Sequence, residues 1–208
     1  MGLSSLSRPA DFNNWILKMN QQSNTTKNNS MPIDELKSLI DYDPLTGILI
    51  WKHRDAELFS DDGPGGQEVA AKIWNKRYEG KPALNVNGQL GYLQGRIFGI
   101  NFKAHRVAFA IHFGSWPIDQ IDHIDGSPSN NKICNLREAT SIENGQNRKP
   151  MRHCLKGAFF NKKSNKWISQ IRCKGVYYYL GIFTSKEEAH CKYKEAATNL
   201  HGKFARFS

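Results

Sequence analysis

Acidic, basic and amide side chains that could hydrolyse a phosphodiester are concentrated between residues 121 and 147. Asp122 and His123 begin this group, and Asn144 lies near its end. Such hydrolysis requires a base that deprotonates water, a cation that neutralises the phosphate, and ligands that hold the cation. His123 can serve as the base near neutral pH. The carboxylate of Asp122 and the amide oxygen of Asn144 are hard ligands suited to Mg²⁺ or Mn²⁺.

The elements around these residues are predicted to be strand, glycine-containing loop, strand and helix. Adjacent strand residues point to opposite faces, so Asp122 and His123 share one site only if the backbone bends there or the metal lies at an edge. Thr140 and Glu143 fit a capping box, which predicts a helix start. Asn144 then falls in the first turn and Asn147 one turn later on the same side.

The C-terminal quarter of the chain has the pattern of a three-stranded sheet followed by a helix. Strands are predicted over 157–161, 166–173 and 176–181, with turns at Ser164-Asn165 and Lys174-Gly175. A capping box of Ser185 and Glu188 opens the helix. Strand alternation leaves one face of the sheet exposed, where arginine and glutamine could read base edges. The residues predicted on this face are Gln170, Arg172, Tyr177 and Tyr179, and the lysines at its hairpin turns are Lys162, Lys163, Lys166 and Lys174.

Positive charge is concentrated in the same C-terminal region. The net charge is +10; residues 151–208 contain 12 Lys and Arg against 3 Asp and Glu, and residues 1–150 contain 17 against 16. This asymmetry favours a polyanionic partner over a uniformly solvated surface. The four cysteines form no Cys-x-x-Cys pair, and we expect reduced, mostly buried or half-buried thiols. No signal peptide or membrane-spanning run is apparent, which favours the cytosol.

The remaining chain is divided by composition and periodicity. Residues 1–30 are polar and predict a disordered or weakly helical leader. A short helix is predicted over 32–41, a turn at 43–47, a buried strand at Ile48–Trp51, and a polar glycine-rich loop over 55–68. Strands are expected over 83–86 and 91–104, with turns at Asn87-Gly88 and Phe98-Gly99. A helix over 105–113 is expected to end at Gly114.

An ordered set of motifs resembles the HNH homing endonucleases of phages, in their H-N-N subset. It covers roughly residues 32–150, including the upstream Asp41–Gly47 turn and Ile48–Trp51 strand. The motifs are His105-Arg106, Asp122-His123-Ile124-Asp125-Gly126, Asn135-Leu136-Arg137 and Glu143-Asn144. The resemblance implies a ββα-metal fold around one divalent ion. It also implies that His123 is the general base and that Asp122 and Asn144 are the metal ligands.

The same resemblance assigns supporting roles to other residues of the motifs. Asn135 would tie the hairpin loop and orient His123, and Asp125 and Asn147 would support the motif. Arg106 either pairs with a carboxylate or contacts a phosphate, and Arg137 is a second candidate for the phosphate contact. Zinc-stapled relatives carry Cys-x-x-Cys pairs, which this sequence lacks, so a structural zinc is not expected.

The C-terminal segment resembles APETALA2-type DNA-binding domains over nearly all of residues 156–206. The matching residues include Gly157, Lys166-Trp167, Ile171-Arg172, Leu180–Phe183, Glu187–Ala189, Tyr193, Ala196-Ala197 and Gly202. That family binds DNA through its three-stranded sheet. The resemblance places Phe159, Asn161, Gln170, Arg172, Tyr177 and Tyr179 at DNA-contacting positions. Several arginines of the family are replaced by other residues in this sequence, so the DNA sequence that the family recognises cannot be assigned to this chain.

Together these patterns predict an α+β protein in three parts: a leader (1–30), an HNH endonuclease domain with an N-terminal extension (31–150), and an APETALA2-type domain (156–208). The expected activity is metal-dependent hydrolysis of double-stranded DNA, by a monomer or homodimer, with no membrane or protein partner implied. Two alternatives stay open. One is a DNA-binding regulatory protein with an inactive HNH remnant, and the other is a nuclease directed at RNA.

Overall fold

The computed structural model of the chain describes residues 31–147 and 155–207. These residues fall into two compact units. The first comprises 31–117 and 128–136, and the second comprises 118–127, 137–147 and 155–207. The domain boundary predicted from the sequence, between residues 150 and 156, stays a prediction. The predicted leader, Pro150, His153 and Cys154 lie outside the described residues.

The first unit begins with a short helix followed by a hairpin. Helix α1 (Ile33–Leu39) leads directly into strand β1 (Ile40–Asp43), which pairs antiparallel with β2 (Ile48–Trp51). The predicted helix over 32–41 therefore extends two residues too far at its C-terminal end, because Ile40 and Asp41 already pair with β2. The strand at Ile48–Trp51 is confirmed, but it is only partly buried, since Ile48 is exposed. Gly47 closes the turn with a φ of 78°, a conformation that glycine adopts without steric cost.

A second helix of the first unit was not predicted from the sequence. Helix α2 spans Gly66–Tyr78 and buries only Ala71. Its start falls inside the segment predicted to be a loop over 55–68, which also contains a short 3₁₀ helix at Ala56–Leu58. Polar residues cover most of α2, so its sequence lacks the wide apolar stripe that helix prediction depends on.

A small antiparallel sheet and a buried helix complete the core of the first unit. Strands β3 (Val86–Asn87), β4 (Leu93–Ile97) and β5 (Ile100–Lys103) lie in that order, so only Val86 of the predicted strand over 83–86 belongs to the sheet. The predicted Phe98-Gly99 turn joins β4 to β5, with both residues at positive φ. Helix α3 (Ala104–Phe113) follows, and Gly114 ends it in the left-handed conformation as expected.

The second unit opens with strand, strand and helix. Strand β6 (Gln120–His123) pairs with β7 (Leu136–Ala139), and helix α4 (Ser141–Gln146) packs on β6. The predicted capping box is confirmed. The Thr140 hydroxyl accepts a hydrogen bond from the Glu143 backbone N–H, and the Glu143 carboxylate accepts one from the Thr140 N–H at 2.9 Å.

The rest of the second unit is a three-stranded antiparallel sheet with one helix. The strands are β8 (Ala158–Asn161), β9 (Lys166–Cys173) and β10 (Val176–Phe183), with β9 in the centre. Helix α5 (Lys186–His201) packs across all three strands, and Ser185 caps it by accepting from the Glu188 N–H at 3.1 Å. The predicted C-terminal sheet packed on one helix is therefore confirmed.

Small side chains allow α5 to lie close to this sheet. Ala189 and Ala197 are fully buried, and Ile171, Tyr193 and Ala197 form the core cluster. At Gly157 (φ 78°) an added Cβ would overlap the ring of Tyr193, so only glycine fits between β8 and the helix. Burial raises the pKa of Tyr193 to about 12. The phenol is therefore uncharged near neutral pH, and its ring packs between the sheet and α5.

The coarse fold class predicted from the sequence is correct. The described residues form a mixed α+β structure built from several small antiparallel sheets and helices. No helix among residues 31–147 and 155–207 is long and apolar enough to cross a membrane. The expectation for the cysteines is wrong at two of the three described positions, since Cys134 and Cys191 are exposed while Cys173 is buried.

Candidate active site and nucleic-acid interface

The N-terminal hairpin holds the loop that carries Asn135. The hydroxyl of Tyr42 donates to the backbone carbonyl of Asn131 at 2.8 Å, and the N–H of Ile133 donates to the carbonyl of Pro44 at 3.1 Å. A Cβ on Gly47 would lie 2.5 Å from the backbone of Asn131. Through these contacts the hairpin supports the loop before β7.

Within that loop, Asn135 is buried and its side-chain amide donates to the carbonyl of Asn130 at 2.8 Å. Its backbone N–H donates to the carbonyl of Lys132 at 2.9 Å. Bonds of this kind hold a loop in one conformation. The further role expected for Asn135, the orientation of His123, stays a prediction.

The backbone turns directly after His123. The His123 carbonyl accepts from the N–H of Gly126 at 2.7 Å, and Gly126 has a φ of 65°. The carboxylate of Asp125 accepts from the N–H of Ser127 at 2.7 Å. Asp122 and His123 both lie in β6 and the chain turns only after them, so a site shared by the two side chains stays a prediction. Asp122 and His123 are both buried, each 4% exposed.

Asp122 carries a buried ion pair. Both the Nε and the Nη2 of Arg137 donate to its Oδ2, at 2.8 and 2.6 Å. The side-chain amide of Asn147 donates to Oδ1 at 2.9 Å and to Oδ2 at 3.1 Å, and also to the His123 carbonyl at 2.8 Å. Asn147, at the end of α4, therefore fixes both the carboxylate and the backbone of the neighbouring histidine.

Arg137 is in turn held by the C-terminal segment of the chain. Its Nη1 donates to the carbonyl of Lys203 at 2.6 Å, and its guanidinium carbon lies 4.0 Å from the centre of the Phe204 ring. Phe204 is buried in a short 3₁₀ helix (Gly202–Phe204) that follows α5. One arginine therefore joins the strand that bears Asp122 to the end of the C-terminal helix.

Asn144 has a different partner from the one expected of a metal ligand. Its amide nitrogen donates to the Oε1 of Gln120 at 2.8 Å. This hydrogen bond does not test whether Asn144 binds a metal ion, so its role as a metal ligand stays a prediction. Across the described parts of the chain, no group of three or more His, Cys, Asp or Glu side chains could hold a metal ion. A site at Asp122 would therefore depend on amide, carbonyl or water oxygens for its other ligands.

The exposed face of the C-terminal sheet carries the side chains that alternation assigned to it. Tyr177 pairs with Arg172 and Tyr179 with Gln170, so the four share one face. Tyr177 and Tyr179 are 65% and 64% exposed, and Phe159, which pairs with Ile168, is 50% exposed. The guanidinium of Arg172 lies 5.1 Å from the Tyr177 ring. Such a surface of exposed rings beside a cation is unusual unless a partner covers it.

The remaining predicted DNA contacts lie at the ends of the strands or outside the sheet. Lys163, Lys166 and Lys174 are exposed, and the side chain of Asn161 accepts from the Lys163 N–H at 3.0 Å. Arg106 is half-buried in the first unit, where its Nη2 donates to the carbonyl of Pro117 at 3.0 Å. Arg106 and Arg137 are thus both bound by protein groups in this structure.

A cleft of about 630 Å³ in the second unit is bordered by both α4 and the sheet. Lys156 lies in it, and its ammonium group donates to the carbonyl of Gln146. Burial, with a contribution from Arg206, lowers the pKa of Lys156 to about 8. In the sequence, this lysine has no distinguishing signal apart from its place in a basic segment. From α4 the cleft is lined by Ser141, Gly145 and Gln146, and from the sheet by Phe159, Arg172 and Tyr177.

Two comparisons with known proteins bear on this arrangement. The family model described as "HNH endonuclease" matches residues 102–146, from β5 to the end of α4. Protein 3.8 of Escherichia phage T7 is 35% identical over 92 residues, which is 42% of this chain and 74% of that protein. This chain belongs to the family of protein 3.8. Within that family it carries an HNH endonuclease domain, and no solved structure matches it significantly.

The part of this chain that matches the HNH family model contains the residues that motif spacing indicated. Asp122, His123, Asn135 and Asn144 all lie within the matched range, whereas Asn147 lies one residue beyond it. The geometry nevertheless brings Asn147 to Asp122. Helical spacing had placed Asn144 and Asn147 on one side of the helix, but it could not decide which of the two amides reaches the carboxylate.

Proposed function

We propose that the protein is an endonuclease that hydrolyses phosphodiester bonds of double-stranded DNA. In this proposal the HNH domain uses His123 as general base and one divalent ion, Mg²⁺ or Mn²⁺, held by Asp122 and Asn144. The C-terminal sheet and helix act as an APETALA2-type domain that binds the duplex. The proposal includes a homing-type role, in which cleavage occurs at particular sites.

The observation that carries the proposal is the cleft shared by α4 and the C-terminal sheet. Residues of the HNH helix form one border, and Phe159, Arg172 and Tyr177 of the expected DNA face form the other. A strand bound on that face would therefore run beside the HNH helix. Arg172 and the partly buried Lys156 supply positive charge inside the cleft, where neutralisation of phosphates is stronger than at an open surface.

The donor chemistry at Asp122 fits a hard divalent ion. Among the described residues, Asp122 Oδ1 accepts a single hydrogen bond, from Asn147, whereas Oδ2 accepts three. Oδ1 therefore keeps a lone pair that could bind Mg²⁺ or Mn²⁺, and the amide oxygen of Asn144 is a second hard donor. When bound, such an ion would neutralise charge on the scissile phosphate and the leaving oxygen.

The protein's own residues supply the rest of the chemistry in this proposal. His123 accepts the proton of the attacking water on its imidazole, while the water oxygen bonds to phosphorus and the P–O bond to the leaving group breaks. The turn bond from Gly126 and the amide of Asn147 fix the backbone of His123. A base that is held in place in this way loses little entropy on reaching the reactive geometry.

A cleavage assay with matched histidine variants tests the proposal. Supercoiled plasmid is incubated with wild type, His123→Ala or His112→Ala, with Mg²⁺ or with EDTA. His112 is an exposed residue of α3 and controls for the loss of an imidazole. We expect Mg²⁺-dependent cleavage by wild type and His112→Ala, and a rate lower by roughly 10²–10⁴ for His123→Ala. Equal cleavage by all three proteins would remove His123 from the role of base.

One observation favours a second candidate, a DNA-binding regulatory protein with an inactive HNH domain. The charge of Asp122 is already compensated by Arg137, as in a structural ion pair. Tight binding of duplex DNA in a separate binding assay, with no plasmid cleavage by wild type in either Mg²⁺ or Mn²⁺, would support this candidate. Competition between duplex DNA and RNA of matching sequence separates both functions from a nuclease directed at RNA.

A further inference from the structure

Arg54 is a buried arginine of the first unit held at both its backbone and its side chain. Its N–H donates to the Asn75 Oδ1 at 3.0 Å, and its carbonyl accepts from the Asn75 amide at 2.8 Å. Its guanidinium carbon lies 4.0 Å from the ring centre of Trp74, 4.8 Å from Trp51 and 5.0 Å from Phe98. Only 6% of the residue is exposed.

Nothing within the described chain accepts hydrogen bonds from this guanidinium. Its Nε is buried without a hydrogen-bond partner, and no carboxylate of residues 31–147 or 155–207 forms an ion pair with it. Aromatic rings attract a cation through their faces but do not satisfy its in-plane N–H groups. Burial lowers the pKa of Arg54 to about 10, so the group is still charged near neutral pH. A buried charge of this kind normally has an anionic partner.

Arg54 lines a cavity of about 770 Å³ whose rim carries both signs of charge. Lys72 and Lys76, one turn apart on α2, contribute two exposed ammonium groups. Asp55, Glu57 and Glu68 contribute three carboxylates, so the rim and Arg54 together are close to neutral. A neutral rim does not attract polyanions over long distances. It allows a single small anion to reach the guanidinium.

We propose that this cavity binds one phosphate group, with Arg54 as its two-pronged donor and Lys72 and Lys76 at its rim. Guanidinium forks match the oxygen geometry of phosphate, and rings that hold the fork in place lower the entropy cost of binding. If the phosphate belongs to DNA, the site is a sequence-independent anchor outside the C-terminal sheet. That assignment to DNA rests on the proposed function, whereas the phosphate site itself does not.

The first experiment uses inorganic phosphate and does not involve cleavage. The melting temperature and tryptophan fluorescence of the full chain are followed during titration with phosphate, against chloride at equal ionic strength. Trp51 and Trp74 border the guanidinium, so both signals should respond. We expect phosphate to raise the melting temperature of wild type and of Arg77→Gln. The melting temperature of Arg54→Gln should not change. Arg77, an exposed residue of α2 stacked on Tyr78, is the matched control.

The second experiment measures binding of short duplexes in EDTA at several salt concentrations. For a backbone phosphate, Arg54→Gln should weaken binding about tenfold for every sequence tested. It should also lower the slope of log affinity against log salt by about 1. A phosphate response that Arg54→Gln abolishes, with unchanged DNA binding, would assign the site to a free phosphate compound instead.

The proposal is overturned if phosphate affects wild type and Arg54→Gln equally and DNA binding is also unchanged. Because Arg54 is buried, Arg54→Gln could unfold the first unit. The exposed pair Lys72→Gln and Lys76→Gln then provides the test, since neither side chain supports the core. This pair should weaken the phosphate response severalfold, and a full response would equally overturn the proposal. Failure of plasmid cleavage would leave both binding results intact, so the two proposals fail separately.

Discussion

The ion pair of Asp122 and Arg137 is almost fully enclosed, with side chains 4% and 14% exposed. Removing two charges from water is costly, and the attraction between them offsets that cost only while both partners remain. The pair also has additional ligands, namely Asn147 at the carboxylate and the Lys203 carbonyl and Phe204 ring at the guanidinium. Loss of either charged partner should therefore affect stability before it affects chemistry.

We expect Arg137→Gln to destabilise the protein by roughly 3–5 kcal/mol, because it leaves a buried carboxylate without its counter-ion. The double variant Asp122→Asn with Arg137→Gln should recover a large part of this loss. Urea denaturation of wild type, both single variants and the double variant measures the coupling. Additive losses in the two single variants would show that the residues do not interact in solution.

The same variant tests metal binding independently of catalysis. If Asp122 binds a divalent ion, Mn²⁺ should raise the melting temperature of Arg137→Gln more than that of wild type, because the ion replaces the missing positive charge. Asp122→Asn should show no such increase. An equal response of all three proteins to Mn²⁺ would place the ion elsewhere or show that it does not bind.

A second prediction concerns Lys156 and the dependence of the free energy of unfolding on pH. Its pKa is lowered from about 10.4 in the unfolded chain to about 8 in the folded state, mainly by burial. Between these values the unfolded chain binds more protons, so the free energy of unfolding should rise with pH from about 8 to about 10. Below pH 8 the buried ammonium lowers stability by a constant amount. Urea titrations of wild type and Lys156→Met across pH 7–10 should show this rise only in wild type.

At the scale of elements, helix α4 depends on its capping box because it is only six residues long. Isolated helices of this length are unstable in water, so the cap and packing on β6 hold it together. Asn144 lies in this helix and Asn147 caps its C-terminal end. The position of both amides is therefore coupled to Thr140.

Thr140→Ala should destabilise the protein by about 1 kcal/mol, because the Glu143 N–H loses its acceptor and the Glu143 carboxylate loses the hydroxyl that donates to it. Thr198→Ala, on the exposed side of α5, is a matched control with a smaller expected effect. Hydrogen bonds from Thr140 lower the pKa of Glu143, so the stabilisation by the cap should decrease as the pH falls through the acidic range of that carboxyl. Equal unfolding free energies for the two variants would contradict a role of the cap.

Substitution of two glycines near the C-terminal sheet can distinguish the cost of backbone strain from the cost of steric overlap. Gly157 and Gly175 have φ values of 78° and 86°, but only at Gly157 would a Cβ meet another residue, the ring of Tyr193. Both alanine variants should therefore bear the cost of a left-handed residue, about 1–2 kcal/mol. Gly157→Ala should lose about 1–3 kcal/mol more through overpacking. Thermal unfolding of the two variants compares these losses directly.

The elements could be predicted from the sequence wherever periodicity and turn residues agreed. Alternation assigned Ser169 and Ile171 to the buried face of β9 and left Gln170 and Arg172 on the other, as observed. Helix α2 was missed because its residues are mostly polar and its packing on the core is limited to a few side chains. The helix predicted over 32–41 was too long because Ile40 is apolar in either a helix or a strand.

The contacts within the candidate site could not be predicted from the sequence, and the roles of its residues stay predictions. Motif spacing selected Asp122, His123 and Asn135 without any knowledge of the fold. It could not show that Arg137 lies opposite Asp122, because that ion pair depends on strand pairing. It gave no sign of Arg54, because an arginine among aromatic residues that are distant in the sequence has no local pattern.

At the scale of the whole chain, the excess positive charge is concentrated in the C-terminal region. The salt dependence of DNA binding should therefore depend mainly on lysines of that region. Replacing Lys163, Lys166 and Lys174 by glutamine should lower the salt slope of duplex binding by about 0.9 for each phosphate that is no longer neutralised, or by almost 3 in total. The matched set Lys37→Gln, Lys52→Gln and Lys81→Gln removes the same charge from exposed positions of the first unit. An equal decrease for both sets would show that net charge, rather than the sheet, determines binding.

The bonding of Arg137 to the carbonyl of Lys203 and the ring of Phe204 has a consequence for protein engineering. A chimera that exchanged the C-terminal domain for that of a relative would also exchange the groups that hold this guanidinium. Retargeting by domain exchange should therefore succeed only when the donor supplies a compatible aromatic residue and carbonyl at that point, or when β7 is exchanged together with the new domain.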